Sequence, residues 1–154
     1  VSAPSDFAKH ELWRLVCGDV LGQGVARTVY EHRLDPCLVV KVEEGVESFQ
    51  NVAEWQAWQE VQHTEFARWF APCVAISPCG GVLVQRRTTR AAVHPERIPN
   101  FLSDTKLGNF GILRPRDGEE AGRFVCHDYG LTRLMTVGLT RRMVKANWWN
   151  QPHE

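Results

Sequence analysis

The hardest constraint in this chain is a lysine set inside an otherwise apolar run, Cys37-Leu38-Val39-Val40-Lys41-Val42. A continuous apolar stretch of this length, preceded by the turn signal Asp35-Pro36, fits a buried strand at the centre of a sheet. An ammonium group buried there without a partner is costly. The fold must therefore let Lys41 snorkel to an edge, or open it into a cleft beside a carboxylate. Glu54 is the preferred carboxylate. The segment from Ser48 to about Gln62 has helical character with Ser48 as its N-cap, and Glu54, Trp58 and Val61 fall at i, i+4 and i+7. That register sets the acid beside core-facing residues. Glu60 is the alternative, and Glu43 and Glu44, strand neighbours of the lysine, fit less well.

The flanking pattern supplies a sheet around this strand. Leu12–Gly22 has strand propensity and ends in glycines, and Arg27–Leu34 carries Thr28, Val29 and Tyr30. Val74–Ser77 and Gly81–Gln85 read as a hairpin around Pro78-Cys79-Gly80-Gly81, and Phe110–Leu113 with Arg123–Cys126 as another around Asp117-Gly118. Between the hairpins lies a loop with Pro95 and Pro99. On the helix, Val52, Trp55, Trp58 and Val61 recur at three-residue spacing, and the last segment, Leu131–Trp149, is weakly helical. Mostly consecutive antiparallel strands with one inserted helix predict an α+β architecture.

Composition narrows the class. A chain of 154 residues suits one domain with a proper core, and 44% hydrophobic with 23% charged residues is ordinary for a soluble globular protein. Lys+Arg and Asp+Glu cancel at 18 each, so no general field draws nucleic acid or an anionic membrane. The basic run Gln85–Arg90 and the pair Arg141-Arg142 read as solvated surface. No stretch approaches the ~20 apolar residues of a membrane span, and Val1–Asp6 lacks the regions of a signal peptide. The expected location is cytoplasmic. Five cysteines, an odd number without a CxxC pair, argue against zinc or redox chemistry. Cys17, Cys37 and Cys126 sit in apolar segments as small core residues. Trp13, Trp55, Trp58 and Trp69 read as core, whereas Trp148-Trp149 is a contact for a partner or for the chain's own tail.

Four features bear on chemistry. Gly22-Gln23-Gly24 lies between two strands, where glycines let backbone N–H groups approach a polyphosphate; the strand that follows argues against a dinucleotide-binding turn, which leads into a helix. Lys41 is the second, a cation that can bind phosphate if it faces a cleft. Asp104-Thr105-Lys106-Leu107-Gly108-Asn109 is the third, with an acid, a lysine and a carboxamide at i, i+2 and i+5. His127-Asp128-Tyr129-Gly130 is the fourth, a carboxylate at a strand end. Taken singly, each is better explained as an ordinary turn or a satisfied charge.

In this order, together, they resemble the protein-kinase superfamily from about Leu15 to Leu131. Gly22 and Gly24 match the first two glycines of its nucleotide loop, with Val29 at the following apolar position. Lys41 matches the strand lysine on the α- and β-phosphates, Glu54 the helix acid that positions it, and Asp104, Lys106 and Asn109 the catalytic loop. Asp128-Tyr129-Gly130 matches the Asp-Phe-Gly turn. Gly108-Asn109-Phe110-Gly111 is closer to small kinase-like proteins of phages and bacteria than to eukaryotic kinases. The resemblance implies one minimal domain over 1–154. Residues 12–85 would form an N-lobe, a five-stranded antiparallel sheet plus one helix, and 86–154 a strongly reduced catalytic segment and tail. It implies ATP and Mg²⁺ as cofactors, with Asp104, Lys106 and Lys41 catalytic, Gly22, Gly24, Val29, Lys41 and Glu54 on the nucleotide, and Asn109 and Asp128 on the metal. The implied activity is transfer of the γ-phosphate to a hydroxyl, as in a minimal Ser/Thr-type kinase. The alternative is an inactive kinase-like protein that modulates a protein partner.

The departures bear on function. Arg27 stands where the third loop glycine would be, and Leu102-Ser103 replaces the usual His-Arg. Two packed helices need ~20–28 residues, more than Arg86–Ser103 offers, so the platform for a peptide substrate is expected to be missing. A protein substrate or partner, possible homo-oligomerisation completing the lobe, and a host cytoplasm for a phage-encoded chain complete the expectations.

Overall fold

Val39, Val40, Lys41 and Val42 sit where a centrally paired strand has to be. Leu38–Glu43 forms β3, the middle strand of a five-stranded antiparallel sheet in a computed structural model that describes residues 2–44, 48–119, 122–130 and 132–150. The other strands are β1 (Cys17–Gln23), β2 (Arg27–His32), β4 (Cys73–Ile76) and β5 (Val82–Arg86), in the spatial order β1-β2-β3-β5-β4. Lys41 is paired on both sides, with Val29 of β2 and Leu83 of β5. The apolar run is thus buried because it lies between two neighbours, and the α+β class follows from the sheet and its helices.

Two helices attach to the sheet. The first, α1 (Asp6–Val16), replaces the N-terminal part of the strand expected over Leu12–Gly22. Ser5 caps it by accepting the Ala8 N–H at 3.2 Å, and Asp6 lies in its first turn, where the helix dipole favours a negative charge. Leu12, Arg14 and Leu15 are good helix formers, and strand geometry begins only at Cys17. Trp13 meets Tyr30 edge-on at 5.5 Å between ring centres.

The second helix, α2 (Gln50–Val61), is the inserted one, but Ser48 is not its cap. The cap position is Phe49, in the left-handed region at φ 54°, with no side-chain cap bond. Glu43 from the end of β3 substitutes, its carboxylate accepting the Asn51 N–H at 2.6 Å. The buried stripe also differs from the expected Val52, Trp55, Trp58 and Val61: it consists of Asn51, Glu54, Ala57 and Val61. The tryptophans pack around the rim of the core instead, because the sheet presents polar groups to the first half of the helix.

Beyond β5 the chain makes a three-stranded sheet from β6 (Thr88–Thr89), β8 (Phe110–Leu113) and β9 (Phe124–Cys126), in the order β6-β8-β9. Gly111 of β8 permits the close pairing, since a methyl group there would stand 2.6 Å from the Thr89 carbonyl oxygen. The weakly helical tail is corrected: among its described residues only α3 (Leu134–Val137) is helical, and Leu131 lies outside them. Met143–Lys145 is instead β10, paired with β7 (Arg97–Pro99) in the segment expected to be a loop. Trp148 is half-buried against Phe110 and Phe124 and donates its indole N–H to the Pro95 carbonyl at 2.8 Å. That residue anchors the chain's own tail.

The main core lies between α2, the underside of the sheet and these short strands, with Val61, Phe70, Leu83, Ile98, Phe101 and Tyr129 fully enclosed. Cys17, Cys73 and Cys126 are buried, but Cys37 is only half-buried. Gln85, read as part of a solvated basic run, is entirely buried. None of the described helices is long and apolar enough to cross a membrane.

Candidate functional site

The carboxylate on Lys41 is Glu54. Its Oε2 accepts from the Lys41 Nζ at 2.9 Å, and the glutamate side chain is fully buried. Register puts it there: Lys41 points from the middle strand toward α2, and Glu54 occupies the helix face that packs on that strand. The lysine's second bond goes to the main-chain carbonyl of His127. One lysine thus ties β3, α2 and the turn after β9 together.

Arg27 completes the cluster. It opens β2, at the position where a nucleotide loop's third glycine would stand, yet its side chain is only 5% exposed. Its guanidinium donates to Glu54 Oε1 at 2.8 Å, to Asp128 Oδ1 at 2.8 Å and to Asn51 Oδ1 at 3.2 Å. Burial works against the charge of Arg27, and the carboxylates of Glu54 and Asp128 outweigh it, so its pKa stays above the ordinary arginine value. Asn51, in turn, donates to the main-chain carbonyls of Lys41 and Gly81, both at 3.1 Å. Two cations, Lys41 and Arg27, meet the carboxylates of Glu54 and Asp128 in one network, with Glu43 joined to it through the Asn51 N–H.

The Asp128 turn is held from behind by Tyr129, which is almost completely buried. Its N–H donates to Glu54 Oε1 at 3.2 Å and its hydroxyl to the Ala71 carbonyl at 2.8 Å, with Cys73 Sγ 3.0 Å from the same hydroxyl. Burial pushes the Tyr129 phenol up and the Cys73 thiol to about 11, so both are neutral spacers. Gly130 permits α2 to come close, since a methyl group there would lie 3.2 Å from the Gln50 carbonyl.

The segment Asp104–Asn109 lies in front of this turn. Asn109 donates its amide N–H to Asp104 Oδ2 at 2.9 Å, while Asp104 Oδ1 accepts the Lys106 N–H at 3.2 Å. The Asn109 carbonyl accepts the main-chain N–H of His127 at 2.9 Å. The His127 ring bridges Thr88 Oγ1 at 2.7 Å and the Gly108 carbonyl at 2.8 Å, which makes Nε2 the protonated nitrogen and Nδ1 the acceptor. Burial, with Lys41 adding to it, lowers this histidine to about 4, so it stays neutral. Its role here is to brace the loop.

These pieces open on one cavity of about 160 Å³, whose lining includes Asp104, Lys106, Asn109, Asp128, Gln50 and Thr132. Of the residues singled out in the sequence, Asp104, Lys106, Asn109 and Asp128 meet there, and Lys41 with Glu54 stands behind Asp128, joined to it through Arg27. Gly22, Gly24 and Val29 do not line it. Gly22 pairs with Val29 across the β1–β2 hairpin, and Gly24 closes the turn by donating to the Arg27 carbonyl at 2.8 Å. Sequence reasoning missed Arg27 and Asn51. In the sequence Arg27 reads only as a missing glycine, although its charge is a signal: it is a second cation within reach of Glu54.

The donor set can be tested against a hard cation. Among the described residues no cluster of three or more His, Cys, Asp or Glu is poised for a metal. The cavity is lined by two carboxylates, Asp104 and Asp128, and two carboxamides, Gln50 and Asn109; both Asp104 oxygens already accept hydrogen bonds, which leaves Asp128 and Asn109 as the pair for a metal. Asn109 spends its N–H on Asp104, leaving its amide oxygen, and no described hydrogen bond takes Oδ2 of Asp128. Two oxygen donors fit Mg²⁺, which keeps waters and completes its shell with substrate phosphates. Compared with known proteins, the chain matches no family model, and no curated relative is significantly similar to it in sequence.

Proposed function

We propose that the chain is an ATP- and Mg²⁺-dependent phosphotransferase built on a minimal kinase-like plan, acting on a hydroxyl of the Ser/Thr type. The observation that carries this is the buried Lys41–Glu54 pair joined through Arg27 to Asp128, at a cavity that also holds Asp104, Lys106 and Asn109. A purely structural ion pair has no need of a carboxylate and a carboxamide facing a solvent-open cavity. The strand order around Lys41 and the single helix packed behind it support the same plan.

In this reading Lys41, oriented by Glu54, neutralises the α- and β-phosphate oxygens. Asn109 and Asp128 hold the metal. Magnesium supplies neutralisation of charge on the transferring phosphoryl group. Asp104, exposed and hydrogen-bonded to Asn109, accepts or orients the acceptor hydroxyl's proton, and Lys106 adds positive charge at the γ-position. Gly22 supports a ligand role for the hairpin. A methyl group there would meet nothing within 4 Å and its φ is not positive, so neither packing nor backbone strain calls for glycine. Phosphoryl transfer needs mainly positioning and electrostatics, and this cluster contains both.

The test is transfer of label from γ-labelled ATP with Mg²⁺, to the chain itself or to an added protein. Asp128→Ala is expected to abolish labelling, and equal labelling by both proteins would sink the assignment. A second reading, a nucleotide-binding module that modulates a protein partner without turnover, is favoured by one observation: past β5 the described residues include, as helix, only the four-residue α3 and one 3-10 turn, Leu107–Asn109. Nucleotide-dependent thermal stabilisation with no transfer to any acceptor would select it.

A further inference from the structure

We propose that Arg27 is a positioning residue for the metal site: it holds the Asp128 carboxylate in register with Asn109 and couples that register to the placement of α2. The inference rests on the nucleotide and metal reading above.

The fork of one guanidinium reaches three acceptors on two elements. Two of them, Asn51 Oδ1 and Glu54 Oε1, belong to α2 and are completely buried. The third is Asp128 Oδ1, on a side chain that is 47% exposed at the cavity. The anchoring end is therefore the buried one. Losing Asp128 would leave Arg27 with its two helix acceptors, so the arginine is fixed by the protein and Asp128 is fixed by the arginine. Only one carboxylate oxygen is used, and among the described residues no hydrogen bond takes the other. A carboxylate pinned at Oδ1 can still coordinate through Oδ2, and it gives up less rotamer freedom when it does so.

The opposite role, a latch that blocks Asp128 until it is released, would need Arg27 to have somewhere else to go. Its 5% exposure and its buried partners argue against that. The geometry also makes Glu54 a shared hinge: Oε2 orients Lys41 and Oε1 orients Arg27. A shift of α2 would then disturb buried Lys41 and the aspartate at the cavity together.

The experiment follows Mn²⁺ binding to the full chain, saturated with a non-hydrolysable ATP analogue, by the electron paramagnetic resonance signal of free Mn²⁺. Binding of the analogue in EDTA is measured separately. Arg27→Gln is expected to weaken Mn²⁺ at least about tenfold, in the range for lost outer-shell partners, while metal-free analogue binding changes less than about threefold. Arg27→Lys keeps the charge but cannot span three acceptors, and should fall between the two. Should Arg27→Gln not fold, Arg27→Lys alone carries the test with the same two readouts. Mn²⁺ binding equal to or tighter than that of the wild type in the folded variants overturns the positioning role and leaves the nucleotide reading intact. A wild-type chain that binds neither analogue nor Mn²⁺ overturns that reading, and the role of Arg27 with it.

Discussion

At the scale of single residues, Glu54 has the most concentrated duty in the molecule. It accepts from Lys41, from Arg27 and from the Tyr129 N–H, with no exposure to solvent. Removing its charge would strip buried Lys41 of its carboxylate partner and leave Arg27 with only the half-exposed Asp128 as an ion-pair partner. Breaking a buried ion pair by deleting one partner typically costs about 3–5 kcal/mol, so Glu54→Gln should lower the urea midpoint severely. Glu60→Gln, at an exposed site on the same helix, should stay within about 0.5 kcal/mol. Similar losses in both would mean that Glu54 is not the buried counter-charge. Gly22→Ala separates folding from ligand binding: it should leave stability unchanged or raised by up to about 1 kcal/mol, yet weaken nucleotide binding by the same chain in a calorimetric titration. Lys41 and Glu54 were legible beforehand because a cation inside an apolar strand requires an acid, and helical register favours Glu54 over Glu60, the pairing the structure makes. Arg27 and Asn51 were not: charge alone does not say that the first residue of a strand will turn inward, and the three-residue apolar spacing of α2 points to Val52, Trp55, Trp58 and Val61 rather than to Asn51.

At the scale of elements, periodicity succeeded where neighbours are close in sequence and failed where partners are distant. The β4–β5 and β8–β9 hairpins follow from apolar runs around turn residues, with Gly118 at φ 82° in the second turn. The α1 helix was missed because Leu12–Val16 is apolar enough for either state, and the Ser5 cap decides between them. The β7–β10 pairing joins residues 97–99 to 143–145, and no local pattern announces a ladder across that separation. The β6–β8 pairing is the element-scale feature that most affects the site, because it sets the strand that continues directly from Asn109. Gly111 is the joint. A side chain there would stand 2.6 Å from the Thr89 carbonyl and 2.9 Å from Thr88 Cβ, and both are parts of a strand that cannot swing aside. Gly111→Ala should therefore destabilise by about 1–3 kcal/mol and loosen the Asn109–Asp104 bond, seen as faster hydrogen exchange at the Asn109 side-chain amide. A fully stable variant would mean the two strands separate easily.

At the scale of the whole molecule, the question is whether the five-stranded sheet and the short-stranded region that carries Asp104 and Asp128 open together. They are stitched at several points: the Ala71 N–H donates to the Cys126 carbonyl at 2.8 Å, and Tyr129 beside Asp128 bonds Ala71 and Cys73. The cysteines report on this directly. Cys79 lies on the exposed β4–β5 turn, and hydrogen bonds from the Gly81 backbone and from Ser77 hold its thiol below the usual value. A lowered pKa puts the thiolate, the reactive form, at lower pH. The rate of Cys79 alkylation should thus level off at a lower pH than that of an ordinary free thiol. Burial raises Cys73 to about 11 and also pushes Cys126 well up, so neither reacts until the structure around it opens. Cys73 belongs to the sheet and Cys126 to the strand that leads into Asp128. If the stitching makes one cooperative unit, pulsed alkylation at rising urea will label both thiols with the same midpoint, with mass spectrometry assigning the sites. Labelling of Cys126 at clearly lower urea than Cys73 would show instead that the site region opens alone. Arg27 and Lys41 would then be holding a separable half in place, and Arg27→Gln should bring the Cys126 midpoint down while leaving that of Cys73 nearly unchanged.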